Sequence, residues 1–189
     1  FTIRLWRIDN PIADWHSWRQ SDTASVTRIF VQEGIDFLHP RYHDLSNIPS
    51  GKENPQGYRF VEFPLYNAIV AIIFQAVNKF SLEVWGRLVS IISSLGSMVF
   101  LYLLTKKYLG TRVGLLTMFS FGFLPYNIYY SRTILPDPSM VMAILGGIYF
   151  FDQALEQKSQ LLITNYKFLL AIVFTAAAFL LKPFALFFT

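Results

Sequence analysis

Four long stretches without a charged side chain dominate the sequence and leave it few ways to fold. Residues 88–105 make a run of eighteen, residues 113–131 a run of nineteen, and residues 138–151 and 168–181 runs of fourteen, the last two lengthened by mostly apolar flanks. About twenty apolar residues carry a helix across the hydrocarbon of a bilayer, so about four transmembrane helices are expected. Composition agrees, with 53% hydrophobic and 15% charged residues among 189, where a soluble domain carries about a quarter charged. The absence of Cys excludes a disulfide scaffold, a thiol nucleophile and any Cys-held metal. The net charge of +4 does not point to nucleic acid, because no basic cluster exceeds two adjacent residues. Basic loops of membrane proteins account for such an excess.

The charges are uneven. Residues 1–62 hold 15 of the 28 Asp, Glu, Lys and Arg side chains and all three His, so a polar head precedes a membrane body. The chain opens at Phe1 and stops within an apolar run at Thr189; it reads as an excerpt, with residues 1–6 the tail of a lost span. The basic loop Lys106, Lys107, Arg112 belongs in the cytoplasm by the positive-inside tendency, and Lys158 and Lys167 fall on the same side. The turn at residues 132–138 then lies outside. A fifth run, residues 63–78, has sixteen uncharged residues including Asn67, Gln75 and Asn78. It is read as an interfacial helix, which keeps the head outside as well. The expected architecture is all-α and integral to the membrane, with an external loop and juxtamembrane helices over 7–82 and transmembrane helices over 83–189.

Four constellations carry candidate chemistry. In residues 16–24, His-Ser-Trp-Arg-Gln-Ser-Asp-Thr-Ala, Ser21 or Asp22 caps a helix that Gly34 ends, with Val26, Ile29 and Phe30 on one face and with Arg19, Asp22 and Arg28 spaced for charge work. Glu62 precedes Phe63-Pro64 at the entry of the interfacial helix, where it complements the helix dipole or ligates a cation. In residues 131–139, Pro136 and Pro138 bracket Asp137 in a stiff extended turn, with Arg132 five residues earlier. Lys182 interrupts an apolar segment, where a charge needs a partner or must snorkel. With Arg87 at the outer start of its span, these acids and bases gather on one leaflet. Such a set suits a substrate with a lipid tail and a phosphate: cations hold the phosphate, and a carboxylate accepts a proton. Asp22, Glu62 and Asp137 are hard oxygen ligands suited to Mg²⁺, Mn²⁺ or Ca²⁺, and His16, His39 and His43 shift the preference toward Zn²⁺; whether a divalent ion is required stays open on this reading. His43, beside Arg41 and Asp44, is the best placed of the three to line the site. No phosphate-binding Gly-rich loop is present, so no nucleotide cofactor is implied. Residues 46–58, rich in Asn, Pro and Gly, read as a loop able to cover a cleft.

These stretches, HSWRQSDTA at 16–24, EFPLYN at 62–67, GRLVS at 86–90, RTILPDP at 132–138 and LKP at 181–183, resemble in order the membrane glycosyltransferases of the GT-C type. The likeness is to the family 39-like group of protein O-mannosyltransferases and lipid A aminoarabinose transferases. It implies the N-terminal part of a GT-C catalytic domain with Asp22 as the catalytic carboxylate, Glu62 as a cation-binding residue and Asp137 as the acid of the next external loop. Many relatives carry Asp-Glu at 22–23, where this chain has Asp-Thr, and Lys at 63, where it has Phe. Arg19 or Lys182 would then supply the missing phosphate contact.

The expected activity is transfer of a sugar from a polyprenyl-phosphate donor to a hydroxyl on protein, lipid or glycan, with inversion. Asp22 is the base, Arg19, Arg87, Arg132, Asp137 and Lys182 bind substrate, and Glu62 with Asp137 is the candidate metal pair. The location implied is the bacterial inner membrane, with the site on its external face. A transporter or lipid flippase fragment is the alternative. The transfer reading rests on side chains 22 and 137 becoming neighbours, and separate cavities for the two would overturn it.

Overall fold

The computed structural model describes residues 1–13, 15–47, 51–156 and 165–188; Lys158 and residues 48–50 of the 46–58 loop lie outside them. Seven α-helices and no strand form among the described residues: α1 (Ser17–Glu33), α2 (Leu65–Ala76), α3 (Leu82–Leu109), α4 (Thr111–Phe123), α5 (Pro125–Tyr130), α6 (Asp137–Leu155) and α7 (Tyr166–Leu181). Short 3₁₀ turns at Thr2–Leu5 and Pro183–Phe187 flank them.

Local chemistry sets the helix ends. The Ser81 hydroxyl accepts from the Val84 N–H, Glu83 lies in the first turn of α3 and Lys106 and Lys107 in its last, each charge opposing the dipole end beside it. Gly110 ends α3 at a φ of 87°, a conformation that favours glycine. The α6 N-terminus differs from the extended turn expected at Asp137. Pro136 is already in helical conformation, and Asp137 is the first residue of α6 with Pro138 behind it, since proline is tolerated in a first turn that has no use for its missing N–H. α1 also starts earlier than expected. His16, at a φ of 58°, precedes Ser17, so Asp22 lies inside the helix and caps nothing.

The long helices pack by small residues and hydroxyls. α3 and α6 run parallel: Ser93, near the middle of α3, shares a hydrogen bond of 2.9 Å with Ser139 at the start of α6, and Lys107 pairs with Asp152 near the ends of both. α7 returns antiparallel against α6, with Lys182 on Asp137 at one end and the Asn165 amide on the Ala154 carbonyl at the other. Between these, Gly146 and Gly147 admit Phe174 and Thr175 so closely that a Cβ would meet them at 2.5 and 2.7 Å, the small-residue contact by which membrane helices approach. α4 turns back over α3, with Gly114 against Tyr102 and Gly122 against Met98.

α3 and α6 are long and apolar enough to cross a membrane. The run expected as a single span over 113–131 is instead two helices, α4 and α5, divided where Leu124 adopts ψ 124° ahead of Pro125; the residue before a proline is pushed out of the helical region. α7 is a sixteen-residue apolar helix continued by the 183–187 turn. α2, with twelve residues, is roughly 18 Å long, short of the ~30 Å hydrocarbon layer, and it buries Tyr66, Ala68, Val70 and Ala71 against α1 and α3.

The head is held by polar contacts. Asn67 donates to the Thr23 carbonyl (2.7 Å) and the Thr27 hydroxyl (3.0 Å), and the Ile134 N–H donates to Gln20 (3.1 Å). Tyr66, fully buried, donates to the Gly86 carbonyl at 2.7 Å and meets the Ser90 hydroxyl at 3.1 Å. Burial pushes its phenol pKa far up, so it acts as a neutral tie. Two charged belts result. Arg19, Glu62, Asp137 and Lys182 lie at one end of the bundle; Lys107, Asp152, Glu156 and Lys167 lie at the other. The fifteen residues from Asp137 to Asp152 are roughly 22 Å of helix. Between the belts Ile92, Val99, Leu116, Phe119 and Val173 are exposed, a surface suited to lipid.

Candidate active site

The belt beside α1 is a chain of alternating charges. Arg19 pairs with Glu62; Lys182 lies 3.5 Å from Glu62 and 2.7 Å from Asp137. Lys182 and Glu62 are only 15% and 16% exposed, while Asp137 is 45% exposed, so the lysine is desolvated except on the side of Asp137. Lys182 reaches this point because α7 ends at Leu181 and Pro183 prevents its continuation. Glu62 thus has two cations, Arg19 and Lys182.

Arg19, Asp137 and Lys182 line a cavity of about 480 Å³. Phe121, Leu124, Met140 and Val141 line it with apolar surface, and Ser94, Ser97, Asn127 and Thr133 add uncharged polar groups. His16 lines it too, from an unusual left-handed backbone conformation beside the Tyr130 ring. A cavity lined by two cations and by apolar side chains fits a phosphate on a lipid tail.

Asp22 is not in that cavity. It pairs with Arg59 at 2.9 Å and lines a second cavity of about 420 Å³ with Ser25, Arg28, Tyr42, His43 and Asp44. The expectation that Asp22 and Asp137 share one cavity is therefore overturned, and the transfer reading loses the geometric premise it was given from sequence. Arg19 and Asp22 are neighbours one turn apart on α1, but Arg19 is drawn to Glu62 and Asp22 to Arg59, and Arg59 and Glu62 border a small cleft together with Thr23 and Pro64.

Two expected substrate ligands lie elsewhere. Arg87 is 4% exposed and donates to the Ile8 and Asn10 carbonyls at 2.6 and 2.5 Å. Arg132 donates to the Trp6 carbonyl. Arg4 reaches the opposite way, to the Ser131 hydroxyl (2.8 Å) and the Gly122 carbonyl (2.9 Å). These arginines strap residues 1–16 across the helix ends, and the strap delivers Ile12 to one cavity and His16 to the other. Arg87→Ala leaves two carbonyls without their charged donor, a loss on the order of 3 kcal/mol for a buried group. Thermal unfolding in nanodiscs should show a clearly lowered midpoint, and an unchanged one would contradict the strap role.

Arg59 was not singled out from sequence. It reaches Asp22 because a tight loop returns the chain: the Tyr42 N–H donates to the Gly57 carbonyl and the Arg59 N–H to Pro40, both at 2.8 Å. Gly57 has φ 67°, and a Cβ there would meet the Tyr42 carbonyl at 2.6 Å. That glycine was the available signal.

The donor set does not fit a resident divalent ion. Glu62 and Asp137 do converge, but on the Lys182 ammonium, which takes the place between them that an ion would need. Among the described residues no three His, Asp or Glu side chains gather as ligands.

Searches of curated proteins and of solved structures return no match. The profile of the dolichyl-phosphate-mannose-protein mannosyltransferase family matches residues 62–189, from the Glu62 entry of α2 through Asp137 and Lys182. That span is about two thirds of the sequence, and nothing in it favours a transporter: the chain belongs to this family of membrane glycosyltransferases, of the GT-C type and mannosyltransferase kind.

Proposed function

We propose that the chain transfers a sugar from a polyprenyl-phosphate carrier to an acceptor hydroxyl at the external face of a bacterial inner membrane, with inversion at the anomeric carbon. The observation that carries this reading, in place of the shared cavity expected from sequence, is the family match over residues 62–189; α1 supplies the geometry. One turn presents Arg19 to the amphipathic cavity, and the next presents Asp22 to the second, more polar one. The donor lies in the first cavity with its tail toward Met140 and Val141 and its phosphate at Lys182 and Arg19. The acceptor enters the second.

Asp22 takes the acceptor proton, and the acceptor oxygen attacks the anomeric carbon from the side opposite the phosphate. The bond from that carbon to the phosphate oxygen breaks, and its electron pair stays with the phosphate. Lys182 and Arg19 stabilise the growing charge, since Asp137 and Glu62 hold these cations in place before the donor arrives. The outward orientation is supported by Lys106, Lys107 and Arg112 at the far end of the bundle. The donor-side role of Asp137 is to position Lys182.

The test uses the full-length protein in nanodiscs with a labelled polyprenyl-phosphate mannose. The product's anomeric configuration, read by NMR, is expected to be opposite to the donor's. Retention of configuration, or no donor consumption, would overturn the reading.

A further inference from the structure

The reading above leaves the acceptor as any hydroxyl; the second cavity narrows it. Its two carboxylates are arranged to accept. Asp22 engages Arg59 through one oxygen, Oδ2. Asp44 takes the Ser46 N–H on Oδ1 at 2.9 Å; the side-chain and backbone bonds from Ser46 hold this carboxyl below its ordinary pKa. The cations nearby are already engaged: Arg28 pairs with Glu83 at 2.7 Å, and Arg59 pairs with Asp22 and lies over the Tyr42 ring.

His43 is fixed by two contacts with one residue. Its backbone N–H donates to the Ser25 hydroxyl at 2.8 Å, and its Nδ1 lies 2.6 Å from the same oxygen. That leaves Nε2 as the ring's hydrogen-bonding edge. The cavity therefore combines carboxylate acceptors, an imidazole edge, serine hydroxyls and an aromatic wall, at a volume of about 420 Å³, within the roughly 300–1,000 Å³ range of small-ligand pockets. The contrast with the first cavity is in charge: Lys182 and Arg19 favour an anion there, while Asp22 and Asp44 oppose one here.

We infer that the second cavity is an acceptor subsite for a neutral, hydroxyl-rich sugar, bound by Asp44 and the His43 Nε2 with one hydroxyl directed at Asp22. This rests on the transfer reading and gives it a substrate class. An anionic acceptor would meet two carboxylates, with the nearby cations among the described residues already paired to Glu83 and Asp22. A peptide offers one or two hydroxyls where the cavity presents a ring of partners for several.

The experiment measures consumption of labelled polyprenyl-phosphate mannose by the full-length protein in nanodiscs, with methyl α-mannoside, a Ser/Thr peptide or glycerol phosphate as acceptor. The glycoside alone should give saturable glycosylated product. His43→Ala should raise the glycoside KM about tenfold, the worth of one good hydrogen bond, without moving the donor KM, and His43→Gln, which keeps a side-chain donor, should recover part of it. Saturable use of the peptide or of glycerol phosphate in place of the glycoside overturns the acceptor assignment and leaves sugar transfer standing. An unchanged glycoside KM in a well-folded His43→Ala overturns the subsite. Absence of donor consumption with every acceptor removes the transfer reading and this inference with it.

Discussion

Replacing Asp22 by Asn lowers the rate of sugar transfer by about a hundred- to ten-thousand-fold, the usual contribution of a positioned general base. The substitution keeps the side chain's shape and a hydrogen bond to Arg59, so folding should persist. Because Asp22 lines a different cavity from Lys182 and Arg19, the proposed phosphate ligands, donor affinity should hold while kcat falls. Asp137→Asn is the natural comparison. It weakens the hold on Lys182, so its effect should fall mainly on donor KM. The assay is single-turnover transfer from a radiolabelled lipid-linked sugar with the full-length protein. Near-wild-type turnover in Asp22→Asn removes the base assignment, and if Asp137→Asn carries the rate loss instead, the base sits in the donor cavity.

Lys182→Ala is expected to reduce kcat/KM for the donor by about a hundred- to a thousand-fold, as when one preorganised charge stabiliser is removed from a transferring site. Two effects combine. The departing phosphate loses its nearest cation, and Glu62 and Asp137, which share the ammonium at 3.5 and 2.7 Å, are left facing each other with only Arg19 nearby. Uncompensated, partly buried charge is unfavourable, so the thermal midpoint should fall as well. Lys182→Arg keeps the charge and separates the two effects: it should restore the midpoint and part of the donor affinity. Full activity in Lys182→Ala would show that the phosphate binds elsewhere.

Membrane helices announce themselves through uninterrupted apolar runs, because a charge in hydrocarbon is costly. That signal gave the positions of α3 and α6 and, through the short polar-marked run at 63–78, a helix too short to span. It did not reveal the break at Leu124–Pro125, since an apolar stretch reads the same whether its backbone is continuous or kinked. Pro125 marks the break, because the residue before a proline leaves the helical region. The residues of the charged belt were legible as a group for the same energetic reason: Lys182 and Asp137 are conspicuous where charge is disfavoured. Arg87 and Arg132 were equally conspicuous and were read as phosphate ligands, yet they hold the carbonyls of Ile8, Asn10 and Trp6. A guanidinium serves a backbone carbonyl as well as it serves a phosphate.

The sequence alone determined that this is a helical chain built for lipid, with a polar head and a small set of charges at the level of Asp137, because hydrophobic burial and the expense of buried charge are properties of composition and order. Tertiary structure decided how those charges are shared. Lys182 stands between Glu62 and Asp137 instead of an ion, Arg59 reaches Asp22 through the turn at Gly57, and one turn of α1 separates two cavities where one was expected. Such pairings depend on distances of a few ångströms between segments far apart in the chain, and Coulomb and hydrogen-bond energies change over that same scale.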